Sequence, residues 1–108
     1  MSDAAETIER PVGYGQMKPI IDAVMREYKL TEAALVSKGS TSATPAEARQ
    51  VCCWLAIKLL RLTRQEIAEV LGRDKHNAHA GARSIEKKRA SDTYIKQVTD
   101  KLLSELSA

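Results

Sequence analysis

Phenylalanine is absent from this 108-residue chain, and the other aromatics supply only 4% of it. Aliphatic side chains must therefore fill any core. The two cysteines, Cys52 and Cys53, are adjacent within an apolar run, where they cannot staple distant parts of a fold. A reducing compartment fits such a chain. No apolar stretch approaches the ~20 residues that cross a bilayer. The opening MSDAAETIER is acidic and lacks the apolar core of a signal peptide. The expected location is the cytoplasm, with no membrane partner. A phosphate-cradling GxxxxGK[ST] loop is missing, as is any recognisable nucleophile with an orienting base. His76 and His79 share a helix face at ligand-like spacing, but no third metal ligand accompanies them. These gaps predict a protein that is not an enzyme and holds no metal or cofactor.

The length suits one domain. Hydrophobic residues make up 44% and charged residues 29%, ordinary values for a globular protein. The formal charge is +3, and it is unevenly spread. Residues 1–57 hold six Lys/Arg against seven Asp/Glu, and residues 58–108 hold eleven against seven. All of the positive excess lies in the second half, which points to an anionic partner there.

Residues 1–16 are polar, contain Pro11, Gly13 and Gly15, and show no sustained period, so they are expected to be a flexible lead-in. From Lys18 a helical stripe of Ile20, Ile21, Val24 and Tyr28 begins, with Pro19 suited to a first turn. Thr31 can cap a short second helix, TEAALVS. After the loop KGSTSAT, Thr44-Pro45-Ala46-Glu47 reads as the start of a long third helix. That helix is apolar nearly all round and is expected to be the central one, with Trp54 and both cysteines as core. Thr63-Arg64-Gln65-Glu66 is a second capping box, and Gly72 stands where a fourth helix should end with positive φ. Asp74 can cap a fifth helix, and Asp92 a sixth with the stripe Ile95, Val98, Leu102 and Leu106. The expected fold is all-α, about six helices, with no strands.

Two helices joined by a short glycine-containing turn, as in TRQEIAEVLGRDKHNAHAGARSIEKKR, form a helix-turn-helix. On the second of them Ala78, Ala82 and Ile85 lie together and should face the core. His76, Ala80, Arg83 and Lys87 centre the opposite side, flanked by Asn77, Ser84 and His79. Small residues let such a helix approach base edges in a groove about 12 Å wide. Lys75 can donate to guanine, Asn77 can pair with adenine, and Asp74 can accept from cytosine. Arg64, Arg83, Lys87, Lys88 and Arg89 suit phosphates, which fix register without reading sequence. The candidate DNA-binding set is Arg64, Gln65, Arg73, Asp74, Lys75, His76, Asn77, Arg83 and Lys87.

The stretch EIAEVLGRDKHNAHAGARSIEK resembles the C-terminal DNA-binding domain of the bacterial replication initiator DnaA, whose signature runs approximately GGRDHTTVLHACRKI. The likeness extends from about Met17 to Leu106, through EYKLTEAALVSK and ARQVCCWLAIKLL. It implies a fold of the Trp repressor class over residues 17–108, binding double-stranded DNA as a monomer, nucleoid-associated, in replication or transcription control. A replication or transcription protein is the further partner it implies. Arg73 and Asp74 match the family's Arg-Asp, a segment that makes major-groove base contacts in that family. Arg83 and Ile85 also match. Lys75 stands for a family histidine, His76 and Asn77 stand for two threonines, and Ala80-Gly81 stands for His-Ala, so the target sequence should differ from the family's usual box. After Lys38 the family has an arginine cluster that enters the minor groove, whereas this chain reads GSTSATPAEA, and weaker binding is expected. The initiator's ATPase module does not occur in these residues, so ATP-driven origin melting is not expected. The alternative expectation is a helical protein-interaction module with a degenerate DNA reader.

Overall fold

Short-range signals set several of the helix ends, and burial sets the others and the way the helices pack. A computed structural model of the chain describes residues 13–36, 43–73 and 75–107. It contains α1 (Tyr14–Tyr28), α2 (Glu32–Val36), α3 (Ala43–Leu59), α4 (Arg64–Leu71), α5 (Lys75–Ser91) and α6 (Thr93–Ser107), with no strand among the described residues. None of these helices is long and apolar enough to cross a membrane.

The all-round apolar pattern of α3 has the expected outcome. Val51, Cys52, Cys53, Trp54, Leu55 and Ala56 are all buried, and α1, α2, α4, α5 and α6 each pack on this helix. Burial pushes the Cys52 thiol well above its ordinary range and the Cys53 thiol up to about 12. Both remain protonated and act as small apolar fillers. α3 stops at Leu59, and Leu60–Thr63 form a four-residue link to α4. Ile57 is 41% exposed at this end, where none of the described helices covers it.

The start of α1 differs from expectation. It begins at Tyr14, before the expected Lys18, although Gly13 and Gly15 lie there. Glycine costs a helix about 1 kcal/mol, but this turn buries Met17 completely. It also brings the Tyr14 hydroxyl 3.3 Å from a Glu32 carboxylate oxygen, to which it donates. These tertiary contacts outweigh the local propensity. Pro19 consequently falls inside the helix instead of in its first turn. Residues 1–12, most of the expected lead-in, lie outside the described residues. Thr31 does cap α2, accepting from the Ala34 N–H at 3.1 Å. In α3, Thr44 sits within the helix rather than at its cap, and Glu47 accepts a 2.8 Å bond from the Tyr28 hydroxyl.

At Thr63 the capping box closes in both directions. The hydroxyl accepts from the Glu66 N–H at 3.1 Å, and the Glu66 carboxylate accepts from the Thr63 N–H at 2.8 Å. Thr63→Ala should cost about 1 kcal/mol, read as a lower urea midpoint, with Thr63→Ser restoring most of it. Equal midpoints for all three proteins would count against the cap. Gly72 ends α4 at φ 70, a left-handed conformation that costs glycine little. Behind it the Arg73 N–H bonds back to the Ala68 carbonyl at 2.8 Å. This tight reversal throws the chain into α5. The last helix is capped by Asp92, whose carboxylate accepts from the Ile95 N–H at 3.2 Å, and its stripe of Ile95, Val98 and Leu102 is buried. Ion pairs Arg26–Glu105 and Lys101–Glu27 tie α6 to α1.

Candidate nucleic-acid interface

α5 is held on one side and bare on the other. Ala78, Ala82 and Ile85 are buried, as their spacing predicts. Gly81 joins them, and an added Cβ there would stand 3.2 Å from Gln50 Cγ and 3.4 Å from Gln50 Cα. The absence of a side chain therefore lets α5 lie close against α3. Outward, Lys75, His76, Asn77, Ala80, Arg83 and Lys87 are all exposed. Of these only Ala80 lacks a polar end, so the bare face sets donors around one small residue.

A groove of about 740 Å³ runs along one edge of this face, between α5, the start of α4 and the open end of α3. Trp54, Ile57 and Leu62 form its apolar floor. Arg64, Gln65, Lys75, His79, Arg83 and Lys58 supply polar ends around it. Arg64 and Gln65 arrive here because the capping box fixes the first turn of α4, and Lys75, His79 and Arg83 arrive because successive steps of four keep them on one stripe of α5. The structure thus brings together four of the candidate residues, Arg64, Gln65, Lys75 and Arg83, from two helices. The charge of Arg64 first, then partial burial, Arg83 and His76, lower the pKa of His79.

The groove contains one acid. Glu86 accepts a 2.8 Å bond from Trp54 Nε1 and lies 3.8 Å from the Lys58 ammonium. The Trp54 bond, with help from Lys58 and Arg89, holds its carboxyl below the usual range. On the other edge of α5, a hollow of about 380 Å³ is lined by Arg49, Gln50, Cys53, Arg73, Asn77 and Ser84, among others. Arg73 and Asn77 are therefore on the opposite edge from Lys75, with His76 and Ala80 between them on the helix.

One expectation changes. Arg89, expected on a phosphate, is turned inward. Its guanidinium lies 4.8 Å from the centroid of the Trp54 ring and donates to Thr99 Oγ1 at 2.6 Å and Asp100 Oδ1 at 2.7 Å. It bolts α3, α5 and α6 together. His79 stands outside the candidate set, at the edge of the outward face, and lines the groove. Its step-of-four relation to Lys75 and Arg83 is legible in the sequence, but the approach of Arg64 depends on how α4 docks. Arg49 was missed as well. It donates to the Leu35 carbonyl at 2.8 Å, and burial first, then the charge of Arg73, lowers its pKa. Asp74 and the loop that replaces the arginine cluster, residues 37–42, lie outside the described residues.

The family described as bacterial dnaA protein helix-turn-helix matches residues 17–85. This chain belongs to that DnaA helix-turn-helix family. No curated protein matches the sequence. The matched span runs from the fully buried Met17 of α1 to the fully buried Ile85 of α5. It includes the helix-turn-helix formed by α4 and α5 and the whole groove lining up to Arg83. Membership of that family supports double-stranded DNA as the partner of the domain, and the Trp54–Arg89 bolt and α6 extend the frame beyond the match.

Proposed function

We propose that residues 17–108 form a DnaA-like domain that binds double-stranded DNA sequence-specifically as a monomer. It acts at the nucleoid by occupying sites in replication initiation or transcription control, without ATPase activity of its own. The observation that carries this reading is the convergence of Arg64, Gln65, Lys75 and Arg83 along one edge of the exposed face of α5. Arg64, Arg83 and Lys87 hold phosphates, which positions α5 in the major groove. Lys75, His76 and Asn77 then meet base edges near the start of α5, with Arg73 and Asp74 just before it.

Random-site selection on duplex DNA tests this directly, because one experiment asks whether the chain binds and what it reads. A defined consensus, different from the usual initiator box at the positions read by residues 75–77, is the expected result. On that consensus Asn77→Ala should cost ~1–3 kcal/mol and relax one position. Lys87→Ala should weaken every duplex alike. Identical losses on consensus and scrambled DNA for both variants would remove Asn77 from the reading set. The changed residues Lys75, His76 and Asn77 give a second reading some footing: a protein-interaction module with a degenerate reader. Equal, weak binding to every duplex would favour it.

A further inference from the structure

The groove beside α5 holds a residue that the helical wheel left at its margin. We propose that His79 is a phosphate ligand of this groove and that it grips the DNA backbone as an imidazolium. The inference rests on the duplex-binding reading above.

His79 lines the groove with Arg64 and Gln65 of α4, Lys58 of α3, and Lys75, Arg83 and Glu86 of its own helix. Lys75 and Arg83 stand one turn to either side of it, so the three form a single row, and Arg64 faces that row from α4. A phosphodiester oxygen attracted by Arg64 and Arg83 arrives beside the imidazole. In the free chain the same two guanidiniums, together with His76, discourage a proton on His79. Glu86 is engaged by Trp54 and Lys58 at the far end of the row, and its lowered pKa keeps it ionised throughout the range in which histidine titrates.

The docked phosphate reverses the sign of the local field. One negative oxygen close to the ring favours the charged imidazole, so binding takes up a proton from solvent. The direction follows from linkage. His79 is neutral in the free chain and protonated in the complex between its two pKa values, and across that window affinity must rise as pH falls. A single coupled proton permits at most about tenfold per pH unit.

Fluorescence anisotropy with a short labelled mixed-sequence duplex, at fixed ionic strength, tests the proposal. From about pH 8 to about pH 6 the affinity should rise roughly three- to tenfold. His79→Gln should remove that rise and leave the weak, high-pH affinity at both values. His79→Lys, with a permanent charge, should also remove it but leave the strong, low-pH affinity. The imidazole resonance of His79, followed by NMR, should titrate at higher pH in the complex than in the free protein. A wild-type affinity independent of pH, or a rise that survives in His79→Gln, overturns the assignment to His79 while leaving duplex binding intact. Failure to bind the duplex at any pH overturns the DNA-binding reading and this inference with it.

Discussion

Trp54→Ala will lower the stability of the domain by about 3–5 kcal/mol, the range for removing a buried tryptophan. Trp54 is only 3% exposed, and three of its faces are engaged. Its indole N–H donates to Glu86, Arg89 and Lys58 lie against its ring, and it belongs to the buried core. Truncation leaves a cavity and frees Arg89 from the joint of α3, α5 and α6. A small domain has only about 5–15 kcal/mol in hand, so the variant should approach half-unfolding at moderate temperature. Because this is the only tryptophan, circular dichroism in urea is the appropriate measurement. Trp54→Phe keeps most of the packing and loses the N–H bond, which should cost about 1 kcal/mol. A loss below about 1 kcal/mol in the alanine variant would show that the ring is not a structural centre.

The second large effect concerns DNA. Arg64→Ala combined with Arg83→Ala should reduce duplex affinity on the order of a hundredfold at low salt, from about 1.5 kcal/mol for each charge-assisted contact. The dependence of log K on log salt should become shallower by about 1.8, since each neutralised phosphate contributes about 0.9. Both side chains are exposed, so stability should stay within about 0.5 kcal/mol of the parent. The site preferred in a random selection should not change, because phosphate contacts carry no base information. An unaltered salt slope would place the backbone elsewhere on the protein. A changed consensus would mean that one of the arginines reads a base.

These two predictions also mark what the sequence did and did not disclose. The capping box at Thr63 and Glu66, the positive φ of Gly72 and the cap at Asp92 depend on residues within one turn of each other, and they were legible. The inward row Ala78, Ala82 and Ile85 was legible from period alone. The start of α1 was not, because Gly13 and Gly15 announce a break, and only the burial of Met17 and the reach of Tyr14 to Glu32 overrule it. Ile57 looked like core because α3 is apolar all round, yet the link to α4 leaves its side uncovered. Arg89 looked like a phosphate contact because it closes a basic run. Its partners, Trp54 and Thr99, come from helices before and after it, and no local pattern joins them. In the candidate interface, the row on α5 could be written down from spacing. The groove needed the docking of α4, which is a property of the packed core.

The close seat of α5 has a thermodynamic consequence. The same helix whose bare face we propose for DNA is packed against α3, α4 and α6, with Gly81 flush against Gln50 and Arg89 locked at its far end. The backbone of the described reader is therefore ordered by folding of the core, before any duplex arrives. Among the described residues, association has little left to freeze except long surface side chains. Its heat-capacity change should scale with the area that the two rigid surfaces hide, without the larger contribution of a segment that folds on contact. Such a surface meets DNA as a finished template.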